Sequence, residues 1–439
     1  MSVSAHGVAL TIGSGIFIIL GEAAHHAGRF TWLAFLIAGT LAGLTAFSYA
    51  ELSSMFPRSG SEYLYAHAAF PDPVAQLAMW TNVFILIVGS GLFSFGIAEN
   101  LNQFHHINIR WGAGITLVVA SLIVLTGLRS LNAWVVGSVV VQLVIMMLVV
   151  VASFFLPEHE EATTNPHMSG ILAAAALVFL TYGGFDEVAA YSDDMHAPHK
   201  NVPRAIFIVL SVCTFVYVAF SHSVVKVLGV EGAESSVDPV SGTLVQFMGT
   251  AGRNLVLIGI LFACGNSLLV ALNGAATILH KWSLDTVQFT SLEKLDHRGI
   301  ARPALFWVTL GAMSCVINGN IGRLAQSADF AIFILFAIVN MSVISLRRSK
   351  PRNVRPFRIA GQIFGLPLVP VLGLILSLTL ITRISHQGLL DGTLSFIGGI
   401  IAIGLVSRKR TGRRSFAFVK TPAMELQATA GSESGRSDS

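Results

Sequence analysis

Charge is what this sequence has least of. Only 11% of its 439 residues are Asp, Glu, Lys or Arg, where a soluble domain carries about 25%. A chain so poor in charge cannot present a water-compatible surface over this length, which excludes a soluble enzyme and a nucleic-acid-binding domain. Cysteine is also scarce: Cys213, Cys264 and Cys315 lie far apart in apolar runs. They offer neither a disulfide framework nor zinc spacing, and read as small core residues. The sequence lacks His-Glu-x-x-His and a nucleophile elbow, the patterns that would point to a membrane enzyme. The pairs His25-His26 and His105-His106 are adjacent on helices, so their rings diverge and make no chelate. His196 and His199 beside Asp193 and Asp194 have ligand types suited to zinc, yet no metal site is expected there.

What is present is apolar sequence. Hydrophobic residues make up 54% of the chain and the mean hydropathy is +0.72, which defines a polytopic, all-α membrane protein. Twelve spans are expected, at 4–27, 32–56, 77–103, 111–128, 133–156, 169–192, 204–228, 254–280, 302–318, 325–346, 366–384 and 393–407. The first lacks a basic leader and is followed by further spans, so no cleavable signal is expected. It starts almost at Met1, leaving open a cytoplasmic segment ahead of it. Lysine and arginine set the orientation. One side collects Arg58, Arg129, Lys200, Arg204, Lys281, Lys294, Arg298, Arg302, six cations between Arg347 and Arg358, and the cluster Arg408–Arg414. The other gathers Glu158, Glu160, Glu161, Glu231, Glu234 and Asp238. Both termini are therefore expected in the cytoplasm, with residues 408–439 a basic, then disordered tail.

Two places break the apolar pattern. In the first span, Gly13-Ser14-Gly15 falls at mid-depth; glycine costs about 1 kcal/mol against alanine in a helix, and a pair invites unwinding. Within hydrocarbon, unwound backbone is tolerated only where protein or a cavity surrounds it. The free N–H groups from Gly15 onward then make an anion site. The second break, Tyr182-Gly183-Gly184-Phe185-Asp186, lies in the sixth span. Broken helices at matching places in two halves point to a transporter substrate site. A zwitterion needs an anion site and a cation site one amino acid apart, and two such breaks supply both from backbone alone.

Three stretches carry a family resemblance: Ile12-Gly13-Ser14-Gly15-Ile16-Phe17; Tyr49-Ala50-Glu51-Leu52-Ser53-Ser54-Met55-Phe56-Pro57-Arg58-Ser59-Gly60 with Glu62-Tyr63-Leu64-Tyr65-Ala66; and Phe179 to Asp186 running on to Val202-Pro203-Arg204. The chain resembles the amino acid–polyamine–organocation superfamily of permeases, nearest in look to the cationic-amino-acid-transporter-like and general amino acid permease branches. The resemblance implies a LeuT-type 5+5 inverted repeat (1–156 and 169–346) with helices 1 and 6 broken, two further helices at 366–407, and alternating access. It implies a substrate carboxylate held by the amides of Gly13, Ser14 and Gly15, beside Ile16. The ammonium would meet carbonyls at Ile12, Phe179, Leu180 and Tyr182. Side-chain selectivity would come from around Tyr182, Gly183, Phe185 and Asp186, with the third and eighth spans completing the pocket.

Departures from the family pattern lie in coupling. Gln142 stands where proton-coupled relatives often carry a lysine, and the loop Lys281-Trp282-Ser283-Leu284-Asp285-Thr286 keeps only the aspartate of an Arg-Asp-Gly signature. Glu22, Gln142 and Asp186 are the candidate coupling or gating groups. Asp186 has three readings: contact with a cationic substrate, a proton carrier, or a cap on the resumed helix. Glu51 is expected to make a structural contact to the first inner loop, and Asn266, Ser267 and Asn273 to bond between helices. The expected function is a permease of the cytoplasmic membrane carrying amino acids, with proton-driven uptake leading, exchange next and sodium coupling third. A sensor that binds without flux is the rival. No cofactor and no nucleic-acid partner are expected; the bilayer is the partner, and the oligomeric state is left open.

Overall fold

A computed structural model describes residues 11–56, 61–105, 107–127, 131–159, 167–190, 197–235, 238–285, 290–296, 299–363 and 365–406. Arg58, Arg129, Glu160, Glu161, Asp193, Asp194, His196, Arg298 and the cluster Arg408–Arg414 with the tail beyond it lie outside the described residues.

Helix α1 (Gly15–Ala27) passes through a 3-10 turn, Gly28–Phe30, into α2 (Thr31–Met55). A short α3 (Ser61–Ala69) precedes the long α4 (Asp72–His105), then α5 (Ile109–Leu125) and α6 (Leu131–Phe155). Helix α7 (Met168–Leu177) tightens into a 3-10 turn, Val178–Tyr182, before α8 (Glu187–Ala190). Next come α9 (Pro198–Ser235), α10 (Pro239–Met248), α11 (Thr250–Asp285), α12 (Arg302–Asn318) and α13 (Ile321–Ser349). A two-residue antiparallel pair, β1 (Gln362–Ile363) with β2 (Leu366–Pro367), leads into α14 (Leu368–Ile381) and α15 (His386–Val406).

Helix starts follow local chemistry. Asn108 accepts from the Arg110 and Trp111 amides at the head of α5, Asp238 from Val240 and Ser241 at α10, and Asn320 from Arg323 at α13. Each satisfies donors that the first turn leaves open.

Six stretches are long and apolar enough to cross a bilayer: Gly15–Met55, Asp72–Asn102, Gly137–Phe155, Pro198–Glu234, Thr250–Ser283 and Ile321–Ser349. A seventh is obtained if α14 and α15, bent by 111°, are counted as one broken span. Three things separate this count from the twelve runs in the sequence. Helices α1 and α2 form one continuous stretch. Helices α5 and α12 stop at 17 residues each, about 26 Å of helix against about 30 Å of hydrocarbon. The sixth run is interrupted after Leu177.

Packing is densest along α2 with α9, and along α4 with α11 and α13. The core between these helices is aromatic, with Phe35, Tyr49, Tyr182, Phe185, Tyr217, Phe333 and Phe336 fully buried. Apolar side chains also cover the outside: Trp111, Ile115 and Leu122 on α5, Phe154 and Phe155 on α6, and Phe306 and Trp307 on α12 are exposed. An outward apolar belt on helices whose backbone bonds are internally satisfied suits lipid as solvent.

Candidate functional site

The first break is a tight local turn. Gly13 N–H bonds back to Thr11 O at 2.8 Å, and Ser14 opens α1 as its N-cap without using its hydroxyl. The Phe17 and Ile18 amides return to Ser14 O at 3.1 and 3.3 Å, while the Gly15 and Ile16 amides have no backbone acceptor among the described residues. Ser14 is fully buried, and its Oγ lacks a hydrogen-bond partner among the described residues although the Cys264 thiol lies beside it. Two open amides and an open hydroxyl thus sit together at a helix N-terminus, where partial positive charge favours an anion.

The second break follows α7. After the 3-10 turn, Gly183 is extended, and Gly184 takes φ 114°, a conformation that L side chains resist. The Gly184 amide donates to Asp186 Oδ1 at 2.9 Å, and the Ala189 amide to Asp186 O at 2.9 Å. Asp186 thus opens α8 through its main-chain carbonyl, while its carboxylate holds its own turn.

The two breaks touch. A Cβ built on Gly15 would stand 3.2 Å from Thr181 Cγ2 and 3.5 Å from Thr181 Cα, and one on Gly13 would stand 3.3 Å from Ser267 Oγ of α11. Tyr217 of α9 joins them, its hydroxyl 2.8 Å from Thr11 O and 3.1 Å from Thr181 O. One phenolic proton thus serves carbonyls from both interrupted helices. Tyr182 turns away: its hydroxyl donates to Phe35 O of α2 at 2.8 Å. Phe179 packs on Phe333 and Phe336 of α13, and Phe185 on Tyr49 of α2 and on Phe336.

The other sequence candidates fall at varied distances from this junction. Ile12 and Ile16 are buried beside it, and Leu180 and Gly183 are partly open. Glu22 is exposed at the far end of α1, 4.0 Å from His26 and beside Gly322. Gln142 is fully buried with both amide atoms unpartnered among the described residues, on a helix that packs chiefly against α9, α10 and α11. Asn266 is buried with Oδ1 unpartnered, whereas Asn273 faces outward. Among the described residues no group of three His, Cys, Asp or Glu side chains is arranged to hold a metal.

Beyond Asp186, on the face that carries Arg347 and Arg355, the buried Glu62 of α3 meets Tyr65. Burial, then the Glu62 and Asp186 charges, push the Tyr65 phenol well above its usual range. The first inner loop expected to meet Glu51 begins with residues 57–60, which lie outside the described residues. The Glu51 carboxylate is held by Arg347 of α13 and by the Ile359 amide.

Two buried polar residues beside the breaks escaped the sequence reading, Tyr217 and Asp329. Both had a signal: a tyrosine in mid-span needs a partner for its hydroxyl, and a carboxylate in a span is a functional candidate by default. Asp329 of α13 is fully buried with both oxygens unpartnered among the described residues, the Leu180 amide facing it short of hydrogen-bond geometry. It opens on a cavity of about 220 Å³. A separate apolar groove of about 490 Å³ between α2 and α9 contains none of the break residues.

Two interrupted helices that meet inside a bundle of apolar helices, the first with two amides that have no backbone acceptor among the described residues, are the arrangement of a membrane transporter. The chain belongs to the amino acid permease family of the amino acid–polyamine–organocation superfamily: the family model described as amino acid permease matches residues 1–398. It is 25% identical to the branched-chain amino acid permease BcaP of Bacillus subtilis, over 92% of this chain and 91% of that one. It is 26% identical to the methylthioribose transporter of the same organism, over 84% and 83%. It is 28% identical to the vacuolar cationic amino acid transporter 2 of Arabidopsis thaliana, over 79% and 59%. The chain is a transporter, not an enzyme.

Replacing Tyr217 with Phe tests the link between the breaks. The ring stays packed, and only the shared proton is lost, a contribution of about 1 kcal/mol. The expected result is normal insertion, a lower melting temperature in detergent and slower uptake. Uptake at the wild-type rate would show that the two carbonyls do not need the clasp.

Proposed function

We propose that this permease carries amino acids into the cell by alternating access, driven by an inward proton gradient. The observation that carries the reading is the junction at Gly15 and Thr181: open amides of Gly15 and Ile16 with the buried Ser14 hydroxyl on one side, and the carbonyls around Thr11 and Thr181 on the other. The first set suits a carboxylate and the second an ammonium, without any charged side chain. Two of the three relatives above are named for amino acids, which supports the cargo.

Helix packing supports a LeuT-type inverted repeat within a twelve-span chain. If α1, α2, α4, α5 and α6 correspond in order to α7, α9, α11, α12 and α13, contacts should interchange in pairs. They do: α4 on α13 is matched by α11 on α6, α1 on α9 by α7 on α2, and α5 on α11 by α12 on α4. The same contacts sort into a group of α1, α2, α7 and α9 and a group of α4, α5, α11 and α12. Rocking of the first group against the second would open the junction to either side. The basic face is taken as cytoplasmic, with both termini inside, by the distribution of lysine and arginine.

The test is uptake by purified protein in liposomes across labelled amino acids, with an inward proton gradient, an inward sodium gradient, internal amino acid, or no gradient. Saturable uptake accelerated by the proton gradient is expected. Acceleration only by internal amino acid would make the protein an exchanger. Binding without uptake would make it a sensor.

A further inference from the structure

Asp329 is the carboxylate that the substrate site does not use. It lies on α13 one turn before Phe333, which packs on Phe179 of the second break, so the two side chains share a helix face. Neither oxygen has a hydrogen-bond partner, and no charged side chain is paired with it among the described residues. The cavity it opens on is lined by His26, Ala173, Ala176, Leu177 and Gln326, and by Arg383 to Ser385. Gln326 and Ala173 lie a turn farther out than Asp329 and Ala176, and Arg383 and Ser385 are exposed while Asp329 is fully buried. The exposed residues thus form the mouth and Asp329 the floor. The mouth lies on the acidic face, opposite Arg347.

We propose that Asp329 carries the coupling proton, loaded from water in this cavity and released on the basic face; this rests on the proton-driven reading above. An ionised carboxylate without a partner is costly in a dry interior, whereas the neutral acid is not. With the cavity hydrated, the ion is stabilised by water. On loading, an O–H bond forms on Asp329 as hydronium becomes water, and on release the same bond breaks to hydrate the proton on the other side. The Leu180 amide, across from the carboxyl, connects this charge to the break: the ion would draw that amide into a strong hydrogen bond, and the neutral acid would release it. Protonation therefore biases how the 3-10 turn sits on α13, the contact through which Phe179 and Phe333 meet.

Other ionisable groups near this end are differently placed. Helix α1 brings His26, which lines the cavity, and Glu22, exposed beyond it. Helices α7 and α14 bring none. The 3-10 turn brings Tyr182, bonded to Phe35 O, and α15 brings His386, exposed next to Ser385 at the mouth, and Asp391, bound by Arg323. Arg383 stands exposed at the mouth. Helix α4 brings Glu99, one turn past Gly96 where that helix meets Ile18 of α1. On the far face Glu51 of α2 is held by Arg347, and Glu62 of α3 lies by Tyr65. Among the described residues, Asp329 alone combines full burial, no hydrogen-bond partner and a route to one face.

The experiment compares wild type, Asp329→Asn and Glu99→Gln in liposomes, with the standard amino acids supplied as one radiolabelled mixture. Proton-driven accumulation and exchange at equal pH are measured side by side. Asp329→Asn is expected to lose proton-driven accumulation at least about tenfold, the size of a 1.4 kcal/mol effect, while keeping exchange. Glu99→Gln is expected to keep both. Accumulation retained in Asp329→Asn, or lost only in Glu99→Gln, would overturn the proposal. So would loss of exchange and accumulation together in Asp329→Asn. No effect of the proton gradient on wild type would instead remove the reading beneath it. If Asp329→Asn does not insert, Asp329→Glu should shift the pH of half-maximal uptake, and an unshifted profile would overturn the assignment.

Discussion

Gly15→Val should abolish uptake while the protein reaches the membrane at the wild-type level. The Cβ alone would stand 3.2 Å from Thr181 Cγ2, and the Thr181 Cα lies behind it at 3.5 Å. The two further methyls of valine would have to share that space with the backbone of the second break. Overpacking of this kind costs about 1–3 kcal/mol and is relieved by moving the backbone. Here the backbone that moves carries the Gly15 and Ile16 amides and the Thr181 carbonyl, the groups assigned to the substrate. Helix α1 itself tolerates the change, since Ile16, Phe17, Ile18 and Ile19 just after it are already β-branched or bulky. Gly15→Ala should keep partial uptake, because Thr181 Cγ2 can yield a few tenths of an ångström. Gly265→Ala in α11 meets nothing within 4 Å and should transport as wild type. Wild-type uptake by a well-expressed Gly15→Val protein would remove the carboxylate site from Gly15.

What was legible in the sequence was legible for local reasons. Gly13-Ser14-Gly15 and Gly183-Gly184 weaken a helix wherever they occur, and the structure interrupts α1 and the stretch after α7 at those places. Which groups the breaks leave open was not local information. The Gly13 amide is taken by Thr11 O, a detail of φ and ψ that no periodicity encodes. Tyr182 reads as a pocket residue from its position, yet its hydroxyl is bound on α2. Tyr217 bridges to Thr11 across 206 residues of chain, and its apolar neighbours gave it the look of core. Asp329 sits at the edge of an apolar run, where an acid looks like a boundary residue. The span count suffered likewise: hydropathy marks α5 and α12 as spans, while capping and turn geometry decide where those helices stop.

Removing Glu51 should destabilise the protein more than any other single change to its polar core. The carboxylate is 1% exposed, and it accepts from Arg347 Nε at 2.9 Å and from Arg347 Nη2, while the Ile359 amide adds a bond of 3.0 Å. Arg355 Nε stands 3.3 Å away, and both guanidinium side chains are 7% exposed or less. One acid thus serves two buried cations and fastens the end of α2 to α13 and to the segment leading to β1. Ser54 extends the same contact to the Phe357 amide, and Ser48 and Thr45 tie α2 to Asn340 farther along α13. Glu51→Ala leaves two positive charges facing each other without a counter-ion. Breaking a buried pair from one side costs about 3–5 kcal/mol, because the partner's desolvation is no longer offset. Arg347→Ala should cost less, since Arg355 remains to pair with the acid. The measurement is thermal unfolding in detergent together with the amount of protein in the membrane, and both should fall in the order wild type, Arg347→Ala, Glu51→Ala. A double variant, Glu51→Leu with Arg347→Met, should recover part of the loss, because apolar replacement of a buried pair is often neutral. Equal stability of all four proteins would mean that water reaches this cluster and that α2 and α13 are held together by packing alone. A loss confined to uptake, with stability unchanged, would instead make the cluster a latch that closes the basic face during transport.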